Sequence, residues 1–195
     1  MSYIEIHPHY RTIENYVSGL GYLRLLEPLL EYADISLTWT SDASVVQYMG
    51  GDFENPALDG EIKRIQEIRD NIDEYSWMIE LDGKIIGNAF LNDIEKTTTT
   101  YNVKGGNWGI LIGDKKYWGK GIGRQVAEMI FGWAFKECDF EIVVAKALNE
   151  NIASINLLKK LKFEYLGNEP YERKVNGKTT EWKNFKLDKN IFLPN

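Results

Sequence analysis

Tyr117-Trp118-Gly119-Lys120-Gly121-Ile122-Gly123-Arg124 runs straight into a long segment with an apolar stripe. Three glycines at alternate positions let a backbone approach an anion closely, because no Cβ stands in the way. The amides they expose point outward at a helix N-terminus, where the macrodipole favours negative charge. Lys120 and Arg124 add formal positive charge on either side. The segment therefore suits the diphosphate of a nucleotide-like cofactor. A Walker loop would close on Gly-Lys-Ser/Thr, whereas Gly123 is followed by Arg124 and Gln125. A Rossmann fingerprint runs G-x-G-x-x-G at the first turn of a βαβ unit; here the pattern is G-x-G-x-G and lies far along the chain. Taken alone, the loop also has a plainer reading as a strand-to-helix turn.

The flanks sharpen the reading. Upstream, Asn107-Trp108-Gly109-Ile110-Leu111-Ile112-Gly113-Asp114 has the apolar content of a short buried strand. Downstream, Ile122, Val126, Met129, Ile130, Trp133 and Ala134 fall at the i, i+4, i+7, i+8 spacing of a core-facing helix. A β-rich run follows over residues 141–147, and then a second helical pattern that Asn151 is placed to cap.

With both segments in order, the chain resembles the GNAT superfamily of acyl-CoA-dependent N-acyltransferases, and within it the Rim-like branch. The family's cofactor motif, Arg/Gln-x-x-Gly-x-Gly/Ala, falls on Trp118-Gly119-Lys120-Gly121-Ile122-Gly123, and its later signature, an Asn before a helix ending in Gly-Phe, falls on Asn151 through Phe163. The resemblance covers about residues 22–187. It implies an α+β fold with a mostly antiparallel twisted sheet of six to seven strands flanked by helices, and direct transfer of an acetyl group from acetyl-CoA to an amine. It further implies pantetheine against Leu111 and Ile112, polarising amides near Ile112, a diphosphate cradle from Trp118 through Arg124, and contacts from Asn151 and Asn156. Four positions depart from the pattern. Trp118 replaces the motif's first Arg or Gln, and Lys162 replaces the Gly before Phe163. Leu158 stands where many members carry a tyrosine acid, and Asn107 where a glutamate base is often found.

Composition agrees with an enzyme of one domain. At 195 residues, with 44% hydrophobic and 13% aromatic content, the chain is long and apolar enough to bury a core. A net charge of -6 speaks against nucleic-acid partners. The single cysteine, Cys138, falls near the end of an apolar helix and reads as a core or boundary residue. The N-terminus has no basic leader or apolar region of a secretion signal. No apolar run is long enough to span a bilayer, so no membrane partner is expected and the cytoplasm is the expected compartment. Exposed sheet edges in such a fold offer a route to a homodimer.

Residues 1–20 read as an appended arm, 21–190 as one acyltransferase domain and 191–195 as a tail. His7 and His9 lie in the arm without the carboxylates or cysteines that would complete a metal site, so no metal is expected. Strands are expected over 22–26, 76–81 and 84–91, with Asp82-Gly83 as the hairpin turn between the last two. Asn176-Gly177 marks another hairpin, joining 171–175 to 180–187. Helices are expected over 29–40, 42–49 and 61–72, and the Thr97-Thr98-Thr99-Thr100 tract inside a hairpin loop.

Charge is partitioned along the chain. From Leu25 to Ile62 there is no Lys or Arg, yet Glu27, Glu31, Asp34, Asp42, Asp52, Glu54, Asp59 and Glu61 fall there. Lys115, Lys116, Lys120, Arg124, Lys159, Lys160 and Lys162 crowd the two cofactor motifs. Like-signed charge around a cleft concentrates an oppositely charged ligand. The acidic stretch thus suggests a cationic amine bound beside Asp42, Asp52 or Glu54, with Trp39, Tyr48, Met49 and Phe53 as an aromatic wall. Solvated helix faces explain the same carboxylates as well. An alkylammonium ionises with a pKa of about 10.4, so a base must take a proton before the nitrogen attacks. Asp93 and Glu80 are the available carboxylates, Asn107 can position a water, and Tyr117 or Ser154 could supply an acid. The acceptor is a small-molecule or peptide amine. A non-catalytic CoA-binding or regulatory module is the alternative, favoured by Leu158 and Asn107.

Overall fold

The computed structural model describes residues 12–50, 53, 55–175 and 178–194. Their order is β1 (Ile13–Val17), β2 (Gly21–Leu26), α1 (Ala33–Thr40), α2 (Ala43–Val46), α3 (Leu58–Asp70), β3 (Tyr75–Leu81), β4 (Lys84–Asn92), α4 (Ile94–Tyr101), β5 (Gly105–Ile112), α5 (Ile122–Glu137), β6 (Ile142–Leu148), α6 (Ile152–Lys160), β7 (Glu164–Val175), β8 (Lys178–Asp188) and α7 (Lys189–Phe192). All eight strands join one sheet in the order β1-β2-β3-β4-β5-β6-β8-β7. Neighbours are antiparallel except β5 and β6, which run parallel.

Both faces of the sheet are covered. On one, Val126, Ile130, Phe131 and Ala134 of α5 are fully buried against Trp77, Trp108 and Val143. Trp108 meets Phe131 edge-on at 5.1 Å, and Trp77 meets Trp133 at 5.3 Å, the T-shaped geometry aromatic pairs favour. On the other face a smaller cluster of Trp39, Val45 and Met78 seats α1 and α2.

Several elements differ from the sequence expectation. The strand count is eight because Ile13–Val17, within the stretch read as an arm, pairs with β2 from Ile13↔Leu25 to Val17↔Gly21. The helix expected over 29–40 begins as a 3-10 turn, Leu30–Tyr32, because extended Leu29 offers no capping side chain. The helix expected over 42–49 shortens to α2, with Asp42 as its cap, and α3 begins three residues before its expected start. The threonine tract is not a loop: it lies in α4, where Thr97 is buried and Thr100 Oγ1 donates to the Lys96 carbonyl at 2.8 Å. Phe192, assigned to a tail, packs 5.8 Å from Phe131. Asp82 and Gly83 have φ of 48° and 78°, the left-handed pair that a two-residue hairpin demands. Asn176 and Gly177 lie outside the described residues, as do His7 and His9. Among the described residues no helix is long and apolar enough to cross a membrane, and no cluster of His, Cys, Asp or Glu is placed to hold a metal.

Candidate active site

The site originates in the parallel pair. β5 and β6 are in register only from Gly105↔Ile142 to Asn107↔Val144, after which they part. The β6-facing edge of Trp108–Ile112 therefore lacks a strand partner among the described residues, although its other edge is paired with β4 through Gly87↔Ile112. The gap belongs to a cleft of about 1650 Å³ lined from both sides of the sheet. That volume exceeds the usual range for one small ligand.

The glycine loop closes the wide end of this gap. Gly119 and Gly121 have φ of 72° and 82°, a conformation that needs glycine, and open space lies where a Cβ would project. Gly121 caps α5, and Arg124 and Gln125 both donate to its carbonyl at 3.1 and 3.3 Å. The first amides of any helix have no intrahelical acceptor, so this end presents donors to the cleft. Trp118 is half-exposed and its Nε1 donates to the Ile112 carbonyl at 2.6 Å. The indole thereby ties the loop to the end of β5. Asn151 caps α6 by accepting from the Ser154 amide at 3.1 Å, so its Nδ2 is the group left to reach into the cleft. Asn156 and Ser154 line the same wall.

The profile of the acetyltransferase (GNAT) domain family matches residues 22–164. The chain belongs to the GNAT acetyltransferase family. An uncharacterized N-acetyltransferase, p20 of Bacillus licheniformis, is 28% identical over 152 residues, covering 74% of this chain and 79% of that protein. Among solved structures, RimJ of Mycobacterium smegmatis in complex with CoA-disulfide superposes with a TM-score of 0.80 at 17% identity, covering 97% and 93% of the two chains. Spermidine N-acetyltransferase of Vibrio cholerae in complex with CoA and spermine gives 0.74 at 17%, covering 87% and 96%. The GNAT fold is thus shared across nearly the whole chain.

Within this GNAT chain the expected acceptor residues separate. Tyr48, Met49 and Phe53 line the cleft. Trp39 does not: it is 4% exposed, packed with Val45 and Met78, and acts as core. Asp42 is likewise diverted. Lys115 Nζ donates to its carboxylate at 2.6 Å and to Ser44 Oγ at 3.0 Å, and holds the Asp42 pKa down to about 2. Asp52 and Glu54 lie outside the described residues. Glu27 is bound by Arg69 at 2.7 Å, and buried Glu61 by Arg64 at 2.8 Å and by Thr40 Oγ1 at 2.9 Å. Three carboxylates of the acidic stretch, Glu27, Asp42 and Glu61, are thus engaged by Arg69, Lys115 and Arg64, charge partners that sit beyond the window in which they were sought. Arg124 is similarly engaged, donating to Glu128 at 2.8 Å. Lys116 pairs with Asp114 at 2.7 Å, and both it and Lys120 stand over the Tyr117 ring, 5.0 and 5.6 Å from its centroid. Because the Asp42–Lys115 bridge is exposed, Asp42→Asn is expected to leave the KM of any acceptor within about twofold, checked by steady-state thiol release.

The expected acid and base residues also divide. Glu80 is absent from the cleft wall and its Oε1 accepts from Arg24 Nη1 at 2.9 Å across the β2–β3 pair. Asp93 lines the cleft but is exposed, in a left-handed turn at φ 51° between β4 and α4. Asn107 Nδ2 donates to Asn92 Oδ1 at 2.9 Å, so two amides on neighbouring strands form a polar step where β5 and β6 part. Tyr117 lines the cleft at the opposite, loop end. Leu158, at the position of the usual tyrosine, is 1% exposed and belongs to the core.

Two further carboxylates in the cleft were not singled out in the sequence. Glu169 on β7 accepts from Lys146 on β6 at 2.6 Å, and that lysine holds its carboxyl below the usual range. Glu74, just before β3, is half-buried beside Ser76; burial pushes its carboxyl above the usual range. Its sequence signal is slight: an acid two residues ahead of a strand serine on the same face.

Proposed function

We propose that this GNAT acetyltransferase moves an acetyl group from acetyl-CoA directly to the nitrogen of a primary amine, a cationic small molecule or a protein N-terminus. The observation that carries the reading is the parting of β5 from β6 after Asn107↔Val144, with the glycine-turned N-terminus of α5 at its open end. The residues present fit the donor. Gly119 and Gly121 leave a concave, amide-lined surface for a diphosphate, and the unpaired edge of β5 suits the amides of an extended arm by strand addition. When bound, acetyl-CoA supplies the activated thioester. The chain's own contribution is to orient that group along the edge of β5 and to bring amine and proton acceptor to it near the step of Asn92 and Asn107.

The acceptor side of the cleft supports an amine. Tyr48, Phe53 and Trp182 line it together with Met49, and the three aromatic residues supply rings suited to a cation. The V. cholerae relative was solved with spermine and the M. smegmatis one is named RimJ. Spermine ends in primary amines, and this cleft is wide enough for such a chain.

The alternative, a CoA-binding module without turnover, draws on Leu158 and Asn107, which cannot donate or accept a proton as a tyrosine or glutamate would. One experiment separates the readings. Acetyl-CoA or CoA at 100 times Kd should stabilise the protein by about 2.7 kcal/mol, whereas ATP and NAD should leave the melting temperature unchanged. Release of CoA thiol with a panel of primary amines then marks an enzyme. Stabilisation without thiol release would favour the module, and no shift with either thioester or thiol would overturn the reading altogether.

A further inference from the structure

Glu74 occupies a place that the cofactor motifs do not account for. Tyr75 pairs with Leu91, and Leu91 with Trp108; Asn92 pairs with Asn107, and Asn107 with Val144. Continuing the register one step places Glu74 opposite Asn92, in the same row as Asn107 and at the point where β5 and β6 part. Side chains alternate along a strand, so Glu74 and Ser76 share a face, and both line the cleft.

Three carboxylates among the described residues line that cleft: Glu74, Asp93 and Glu169. Glu169 is held by Lys146 at 2.6 Å, which favours its charged form and weakens it as a base. Asp93 is exposed on a turn. Glu74 alone combines access with partial burial. Resting on the acetyltransferase reading above, we propose that Glu74 is the general base of this enzyme, taking a proton from the acceptor ammonium directly or through one water held at the Asn92–Asn107 step.

In the step itself an N–H bond of the ammonium breaks and its proton passes to the Glu74 carboxylate. The freed nitrogen lone pair forms the C–N bond with the thioester carbonyl carbon, and the C–S bond breaks with its electron pair going to sulfur. The second nitrogen proton ends on that thiolate, and Glu74 returns the first to solvent. One acetyl group is transferred and one proton is released.

The surroundings of Glu74 tune it toward this work. Its removal from water favours the neutral form, and Asp93 on the β4–α4 turn acts in the same direction. Ser76 Oγ, which donates to Oε1, and Asn71 Nδ2, which donates to Oε2 at 3.5 Å, act in the opposite direction, as does Arg64 on α3. Neighbouring Asp73 is turned away and accepts from the Glu95 amide at 2.7 Å. Burial prevails, moving the carboxyl toward the pH at which a base works best.

The test is the pH dependence of turnover with acetyl-CoA and a primary amine that the wild-type enzyme accepts. Glu74→Gln should lower kcat by about 10²- to 10³-fold, remove the acidic limb of the kcat profile, and keep the thermal shift produced by acetyl-CoA. The loss should shrink with an acceptor already neutral at the assay pH, such as hydroxylamine. Ser76→Ala removes a donor to the carboxylate, so the acidic limb should move to higher pH with the fold intact; this variant decides the matter if Glu74→Gln does not fold. An unchanged acidic limb in both variants, or its loss in Asp93→Asn instead, would overturn the assignment. Failure of the wild-type protein to release thiol with any amine would sink the acetyltransferase reading itself, a separate outcome.

Discussion

Gly113→Ala is expected to lower the melting temperature by about 6–12 °C, the shift that about 3 kcal/mol produces in a domain of this size. The residue lies outside both cofactor motifs, and the reason for its sensitivity is contact. A Cβ built on Gly113 would fall 2.1 Å from Cγ and Cδ2 of Trp39. Those atoms are the root of the indole rather than a flexible tip. The ring is 4% exposed and held by Val45 and Met78, so it cannot swing aside without opening the cluster that seats α1 and α2. The backbone cannot yield either, because the Gly113 amide donates to the Ile86 carbonyl at 2.8 Å and so continues the β4–β5 pairing. Scanning calorimetry checks the expectation, and a double variant refines it. Trp39→Leu alone opens a cavity, but combined with Gly113→Ala it should restore part of the loss, since the added methyl then has room. A Gly113→Ala protein that melts like wild type would show that Trp39 does not cover the end of β5.

That contact also illustrates where sequence reading stops. The loop from Tyr117 to Arg124 was legible because its information is local. Glycine at alternate positions states a backbone requirement, and Gly119 and Gly121 meet it at positive φ. The stripe on α5 was legible for the same reason, since a 3.6-residue period is written in neighbouring residues. Strand β1 was not, because Ile13 and Val17 carry the only inward-facing apolar signal in five residues of an exposed edge. The threonine tract misled in the opposite direction: β-branched residues disfavour helices, yet burial of Thr97 and packing of Ile94 decide in favour of α4.

For the site, the failures share a cause. Asp42 is separated from Lys115 by 73 residues, and Glu80 from Arg24 by 56. A carboxylate counted as available along the chain is spoken for once the sheet is assembled. Glu74 was passed over for the complementary reason. It follows Asn71-Ile72-Asp73, a sequence that reads as the solvated exit of a helix, and only the register across β3, β4 and β5 brings it beside Asn92 and Asn107. Local patterns thus mark the loop proposed to cradle the donor, because it is one continuous segment. The base proposed at Glu74 draws its surroundings from separate strands and depends on pairings that no local pattern encodes.

The cradle itself gives the sharpest expected change in ligand affinity. In a Gly119→Ala/Gly121→Ala protein both loop residues must carry a Cβ at φ of 72° and 82°. Each costs about 1–2 kcal/mol in the left-handed region, so about 2–4 kcal/mol must be absorbed. Among the described residues no neighbouring atom lies within 4 Å of either built Cβ, so the penalty is conformational and not steric crowding against another segment. The loop is joined to the body through Trp118 Nε1 and the Gly121 carbonyl at the start of α5, and it can relieve the strain by turning its amides out of the cleft. Strain relieved in this way appears as lost affinity, about 30- to 700-fold in Kd for acetyl-CoA at 1.4 kcal/mol per tenfold. Strain retained appears as a lower melting temperature with affinity kept. Gly132→Ala provides the internal contrast. Gly132 lies mid-α5 with open space beside it, so the same substitution should stabilise the helix by about 0.5–1 kcal/mol. Titration calorimetry on the three proteins distinguishes the cases. A double loop variant that binds acetyl-CoA with wild-type affinity and also melts at the wild-type temperature would mean that the left-handed loop is not the conformation that holds the donor.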